Sequence, residues 1–224
     1  MVGLGNPGDR YVGTRHNVGF EVVDALAARA GAASGGRVRV DRLDCRALTA
    51  RVRLAGKPVL LAKPQTYMNV SGESVKGLVT KYEVPLERTV VVSDDVALAP
   101  GRLRLRPSGS SGGQKGLQNT IDCLRTNVFP RLRVGVGGES FQPGEDRADY
   151  VLSRFAKSER RDVESAVADA CDAIELWLTS GLEAAMSRFN SAEPSGPAEP
   201  RSPKAAPAAG TSTLAPPEGG ASRR

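Results

Sequence analysis

The 224-residue chain has only one histidine and three cysteines. Each shortage excludes a kind of chemistry. A single imidazole cannot build a histidine-rich metal site or a histidine relay. Acid–base work near neutral pH would fall to His16, because only imidazole titrates there unperturbed. Cys45, Cys123 and Cys171 are far apart and odd in number, so they fit neither a disulfide framework nor a zinc motif. There is no apolar N-terminal segment and no run of about 18 apolar residues, which argues against a signal peptide and a membrane span. The expectation is a reduced, cytoplasmic protein with no metal, no cofactor and no membrane contact. Asn69-Val-Ser71 matches a glycosylation sequon, which carries no weight in that compartment.

Apolar residues are also scarce at one end. Residues 191–224 hold seven of the fifteen prolines, and their only large aliphatic residue is Leu214. Such a segment cannot bury enough surface to offset its ordering entropy, so it reads as a disordered tail rich in Pro, Ala, Gly and Ser. Residues 1–190 suit one domain with a substantial core. The net charge is +6, of which the tail supplies only +1. The remaining excess permits a polyanionic partner such as nucleic acid without requiring one.

Hydrophobic periodicity alternates along the domain. Met1–Gly5 ends a short apolar strand, and Val18–Arg29 carries Val22, Val23, Leu26 and Ala27 at helical spacing, with Asn17 placed to cap it. Two strands, 46–54 and 58–62, flank the hairpin turn Ala55-Gly56-Lys57. A helix over 70–82 precedes a β-branched strand at 89–93. Basic and apolar residues alternate over 102–106, aiming Arg102, Arg104 and Arg106 to one side. A helix opens at Leu117, a strand covers 132–136, and helices span 158–178 and 182–189. Strands interleaved with helices predict a single α/β domain, a twisted mixed sheet flanked by helices.

Gly3-x-Gly5-x-x-Gly8 matches the dinucleotide-binding fingerprint, and Asp24 lies where a ribose-binding acid would be expected. The match fails on context: Pro7 and the polar run 9–17 separate the glycines from the next helix, and Asp24 lies within that helix. What remains is an apolar strand running into an Asn-Pro-Gly turn, with Asn6 at its carboxyl end. Asp94 ends a second apolar strand, followed by Asp95, and α/β sheets place ligands at such ends. Asp94, Asn6 and His16 could therefore share one crevice, with one of the two aspartates only a turn cap. Asn69 either caps the helix after it or faces the same crevice. The small residues of 108–113 before a helix could form a nest for an anion or simply a flexible loop, and no Walker loop is present.

Taken together these segments resemble the bacterial-type peptidyl-tRNA hydrolase family. The resemblance rests on Val2-Gly-Leu-Gly-Asn6-Pro-Gly8, Thr14-Arg-His16-Asn-Val-Gly19, Lys63-Pro-Gln-Thr-Tyr-Met-Asn69-Val-Ser-Gly72, Ser93-Asp94-Asp95, the glycine-rich 109–116 loop, and Phe129-Pro-Arg-Leu-Arg-Val-Gly-Val-Gly137. They stand in the family's order and span about residues 2–190. The resemblance implies cleavage of the ester between a peptide and tRNA, with peptidyl-tRNA as the partner and a monomer sufficient. It implies His16 as catalytic base, Asp94 as the acid that orients it, and Asn6 and Asn69 as asparagines holding the peptide end. Tyr11 and Met68 match positions lining the crevice.

Two features depart from the family. Its usual His-Asn-Gly is here Gln114-Lys115-Gly116, which places Lys115 where a substrate-binding asparagine would stand. Relatives also carry several more residues before the first strand, so a weaker central strand is expected. Arg104, Arg106 and Arg133 are the expected phosphate contacts. No serine shows a nucleophile-elbow pattern, so no acyl-enzyme is expected. Two rival readings are a non-catalytic RNA-binding relative, as in organellar intron-splicing factors, and a nucleotide-binding α/β enzyme. The joint presence of Asn6, His16, Asn69 and Asp94 argues against the first, and the glycine context against the second.

Overall fold

The computed structural model describes residues 1–137, 141 and 146–190, and the expected tail at 191–224 lies outside these. Strands β1 (Val2–Gly3), β2 (Arg42–Asp44), β3 (Ala47–Leu54), β4 (Lys57–Pro64), β5 (Val91–Asp95), β6 (Leu103–Arg106) and β7 (Arg131–Gly135) form one sheet in the order β2-β3-β4-β1-β5-β7-β6. Its centre is parallel, with β1 between β4 and β5, and β5 beside β7. Both margins are antiparallel. The sheet is mixed, as the alternating sequence predicts.

The helices are α1 (Val18–Ala33), α2 (Ser71–Lys81), α3 (Lys115–Leu124), α4 (Arg147–Leu152), α5 (Lys157–Ser180) and α6 (Leu182–Phe189). Successive residues of a strand face opposite layers, and the central strands are apolar on both sides. Val91 packs with Val2, Leu4, Val75, Leu117 and Phe129 under α2 and α3. Val92 packs with Val22, Leu26, Leu61, Ala170 and Ile174 under α1 and α5. Along α5 the small residues Ala166, Ala170 and Ala173 are buried at helical spacing, which lets α1 approach closely. Each fully buried Val or Leu contributes roughly 1.5–3 kcal/mol of transfer free energy.

Two local features follow from glycine. Ala55 and Gly56 both have positive φ (47° and 76°), the backbone of a two-residue type I′ hairpin joining β3 to β4. Gly3 and Gly19 let β1 and α1 touch: a Cβ on Gly3 would stand 2.0 Å from the Gly19 carbonyl oxygen, and one on Gly19 would stand 2.5 Å from the Leu4 oxygen. Gly3, the first glycine of that motif, therefore serves close packing of strand and helix, and Gly8 instead holds a positive φ of 104° in open space. The free edge at β6 is covered by Asn190, whose side chain accepts from Leu105 N at 2.6 Å and donates to Leu105 O at 3.0 Å.

The expected elements occur with ends displaced by a few residues. Two further elements carry no clear signal in the sequence. β2 has three residues, two of them exposed, and so shows no alternation. α4 has six residues, too few to display a helical period.

Candidate active site

Five segments converge at the carboxyl ends of β1, β4 and β5. Asn6 follows β1, His16 lies in a single 3-10 turn (Arg15–Asn17) before α1, Met68 opens another (Met68–Val70) before α2, Asp94 is the penultimate residue of β5, and Gln114 caps α3. They border a cavity of about 440 Å³ that is also lined by Tyr67, Asn69, Lys115 and, from α4, Arg147, Val151 and Leu152.

At its floor His16 Nδ1 lies 2.9 Å from Asp94 Oδ1, with both residues buried. A carboxylate only accepts, so the proton of a neutral His16 sits on Nδ1 and Nε2 keeps a lone pair. Asp95, the neighbouring candidate, is spent elsewhere. Its Oδ1 accepts from Ala97 N at 2.9 Å, closing a turn, and its Oδ2 pairs with Arg133 Nη1 at 3.0 Å. The structure thus separates the two aspartates: Asp94 faces His16 and Asp95 braces the loop behind it.

Asn6 is held on three sides. Its Oδ1 accepts from Met68 N at 2.8 Å, its backbone N–H donates to Asn17 Oδ1 at 2.8 Å, and its carbonyl accepts from Asn17 Nδ2 at 2.9 Å. With Oδ1 engaged, Nδ2 is the donor left on the side chain. Asn17 occupies the N-cap position of α1 but makes no side-chain cap. This corrects the capping expectation, because its amide is committed to the Asn6 backbone. Asn69 likewise caps no helix: α2 begins after Val70 without a side-chain cap, and Asn119 Oδ1 accepts from Gly72 N at 2.8 Å instead. Asn69 stands exposed on the cavity wall.

Met68 is buried and lines the cavity, as expected, whereas Tyr11 does not line it. Tyr11 lies in a separate 3-10 turn, where its carbonyl accepts from Thr14 and its ring stacks under Arg10 at 4.6 Å. Its expected place in the crevice is therefore corrected. Its backbone shapes the turn that leads to His16.

The arginines divide into two groups. Cross-strand register sets Arg104 opposite Arg133 and Arg106 opposite Arg131, so all four leave one face of the β6–β7 ribbon. Arg104 and Arg106 are exposed. Arg131 is fully buried: it donates to the carbonyls of Gly109, Asn127 and Phe129, and burial, with the charge of Arg133, lowers its pKa to about 10. Arg133 donates to Ser110 O at 2.6 Å besides its pair with Asp95. Contrary to expectation, Arg133 is thus a brace of the 109–113 loop, and the outward-facing guanidiniums are those of Arg104 and Arg106. Lys115 is exposed on the rim of the cavity, on the first turn of α3.

Sequence reasoning missed three contributors. Tyr67 presents an exposed ring at the mouth. α4 forms one wall, and its Arg147 Nη1 reaches Gly112 O at 3.2 Å across the opening. The third is Asn17, whose residue type and position suit a cap. Only the neighbourhood of Tyr67 to Met68 and Asn69 could have signalled the first. Among the described residues no group of three or more His, Cys, Asp or Glu side chains is arranged to hold a metal.

Comparison with known proteins gives a consistent picture. The model of the family described as "Peptidyl-tRNA hydrolase" matches residues 1–197. The peptidyl-tRNA hydrolase of Desulforamulus reducens is 42% identical over 190 residues, covering 85% of this chain and 87% of that protein. That of Alkaliphilus metalliredigens is 43% identical over 190 residues, covering 85% and 98%. Among solved structures, the crystal structure of peptidyl-tRNA hydrolase from Acinetobacter baumannii superposes with a TM-score of 0.77 at 31% identity, over 87% of this chain and 95% of that one.

Proposed function

The chain belongs to the peptidyl-tRNA hydrolase family, and we propose that it cleaves the ester between peptide and tRNA with His16 as general base. It is a hydrolase of this type, and the products are a free peptide and a tRNA returned to translation. The observation that carries the mechanism is the buried His16 Nδ1–Asp94 Oδ1 contact of 2.9 Å at the cavity floor.

The steps follow from that geometry. His16 Nε2 takes a proton from water as the oxygen attacks the ester carbonyl. Asp94 holds the ring in one tautomer and stabilises the imidazolium as it forms. The carbonyl oxygen becomes an oxyanion, and Asn6 Nδ2, with its carbonyl held by Met68 N, is a preorganised donor for it. The Asn69 amide, across the same cavity, orients the peptide main chain. When the tetrahedral intermediate collapses, the C–O bond to tRNA breaks and the leaving oxygen takes the proton back from His16. No side chain is acylated.

Lys115 on the rim binds the substrate where it enters, and Arg104 and Arg106 contact phosphates of the tRNA. No helix among the described residues is long and apolar enough to cross a membrane. A cytoplasmic monomer that uses no metal or cofactor is the reading in keeping with one self-contained site. A binding-only role is disfavoured because it would leave a buried, paired His–Asp couple without a task.

The test is hydrolysis of N-acyl-aminoacyl-tRNA at pH 7 with chelator present, by the wild type and by His16→Ala. The expected outcome is turnover that survives chelation and is lost in the variant. Retained tRNA binding without turnover in the wild type would sink the hydrolase reading.

A further inference from the structure

Asp94 Oδ1 accepts a second hydrogen bond, and its donor is the residue at which this chain leaves the family pattern. Gln114 is buried, and its Nε2 lies 3.1 Å from Asp94 Oδ1, the same oxygen that meets His16. The orientation of its amide is settled by its other partners. Oε1 accepts from Leu117 N at 2.5 Å, capping α3, so Nε2 must face the carboxylate. The second proton of Nε2 points to Met68 Sδ at 3.1 Å. The side chain therefore joins the first turn of α3, the methionine at the cavity wall and the carboxylate beneath the histidine.

Resting on the hydrolase reading above, we propose that Gln114 is a positioning residue for the reaction: its amide locks Asp94 under His16 and supplies a donor that does not titrate. The family's imidazole here would add a second proton equilibrium to the couple. An amide donates at every pH, so Gln114 adds no proton equilibrium of its own beside Asp94. Among the described residues, the other ionisable groups lining the cavity are Tyr67, Asp95, Lys115, Asp146 and Arg147. Asp95 is paired with Arg133, and beside His16, Arg15 is paired with Glu159. Neither of these pairs reaches Asp94 Oδ1.

The discriminating variant is Gln114→Glu. It keeps the length of the side chain and the oxygen that caps α3, and it changes only the atom facing Asp94. While protonated, the introduced carboxyl donates to Asp94 as the amide does. Once ionised it sets two carboxylates together, which is unfavourable. The pH profile of kcat/KM should then gain a descending limb on its alkaline side that the wild type lacks, with the loss appearing in kcat more than in KM. Gln114→Met removes donor and acceptor with little change in volume, and should lower kcat by about 10–100-fold, the worth of one hydrogen bond to a charged group. Its profile should keep the wild-type shape.

A role confined to capping α3 predicts a Gln114→Glu profile that superimposes on the wild type, and that result would overturn the proposal. So would a Gln114→Met protein with wild-type kcat. Circular dichroism melts of each variant show whether it is folded, and if Gln114→Glu does not fold, the kcat of Gln114→Met decides. A wild type without hydrolytic activity would instead refute the underlying reading of the function.

Discussion

Arg15 and Glu159 meet across 144 positions of chain, with Arg15 Nη2 donating at 2.8 and 2.6 Å to both Glu159 carboxylate oxygens in a buried pair. The same arginine donates to Arg154 O at 2.5 Å and lies over the rings of Tyr150 and Phe155. Glu159 also accepts from Ala156 N at 2.7 Å, at the start of α5. The residue next to His16 is thereby tied to the segment that joins α4 to α5.

Removing one member of this pair leaves an uncompensated buried charge. Glu159→Ala should lower the unfolding free energy by about 3–5 kcal/mol, whereas Arg15→Met combined with Glu159→Leu should cost less than the single change. Urea denaturation of the three proteins measures both. A single variant as stable as the wild type would show that the pair contributes nothing.

Asn6 offers a cleaner test of chemistry than of stability. Asn6→Asp retains the oxygen that accepts from Met68 N and deletes the Nδ2 donor. If Nδ2 stabilises the oxyanion, kcat should fall by about 10²–10³-fold, with Tm changed by only a few degrees. Asn6→Ala also abandons Met68 N, a buried donor, and should cost a further 1–3 kcal/mol or so of stability. Equal kcat values for Asn6→Asp and the wild type would exclude the oxyanion role.

The parts of this molecule that are legible in the sequence are those whose signals are local. Val91-Val92 at the centre of the sheet, the Ala55-Gly56 turn and the spacing along α5 each state their structure within a few residues. His16, Asp94 and Asn6 could be placed in one crevice because strand ends in α/β sheets converge. What escaped depends on partners far along the chain. Asn17 has the residue type and position of a cap, yet the Asn6 backbone, 11 residues earlier, competes for its amide and wins. Arg133 reads as one of a basic series, and only the pairing of β5 with β7 brings it to Asp95. Tyr11 lies close to the first motif in sequence but belongs to the separate 3-10 turn Asp9–Tyr11 and is not among the residues that line the cavity.

That division of the arginines has a measurable consequence. Phosphate contacts release counterions, and each one steepens the salt dependence of binding by roughly 0.7–0.9 log units per log unit of salt. Arg104→Ala with Arg106→Ala should therefore flatten the slope of tRNA affinity by roughly 1.4–1.8 units, with the fold unaffected because both side chains are exposed. Arg133→Ala should do the reverse: lower Tm by releasing Ser110 and Asp95, and leave the slope nearly unchanged. Fluorescence anisotropy between about 50 and 200 mM salt resolves the two. An unchanged slope in the double variant would remove Arg104 and Arg106 from the tRNA surface.

A last expectation concerns acid stability at the opposite margin of the sheet. Asp44, at the end of β2, accepts from Lys81 Nζ at 2.7 Å and from the Tyr82 hydroxyl. The bond from Lys81, followed by that from Tyr82, holds its carboxyl well below the usual carboxylate range, against an opposing effect of burial. Because the folded-state value is depressed, the stabilisation is complete above the ordinary carboxylate value near 4 and is lost as pH falls through the folded-state value. Asp44→Asn should therefore be less stable than the wild type by a constant margin from about pH 8 down to about pH 5, and the margin should shrink only below about pH 4. Tyr82→Phe, which withdraws one of the two donors, should show a smaller margin with the same pH dependence. Urea midpoints for the three proteins between about pH 3 and pH 8 give the comparison. A margin that is already shrinking between about pH 8 and pH 6 would mean that a group other than Asp44 governs this edge of the fold.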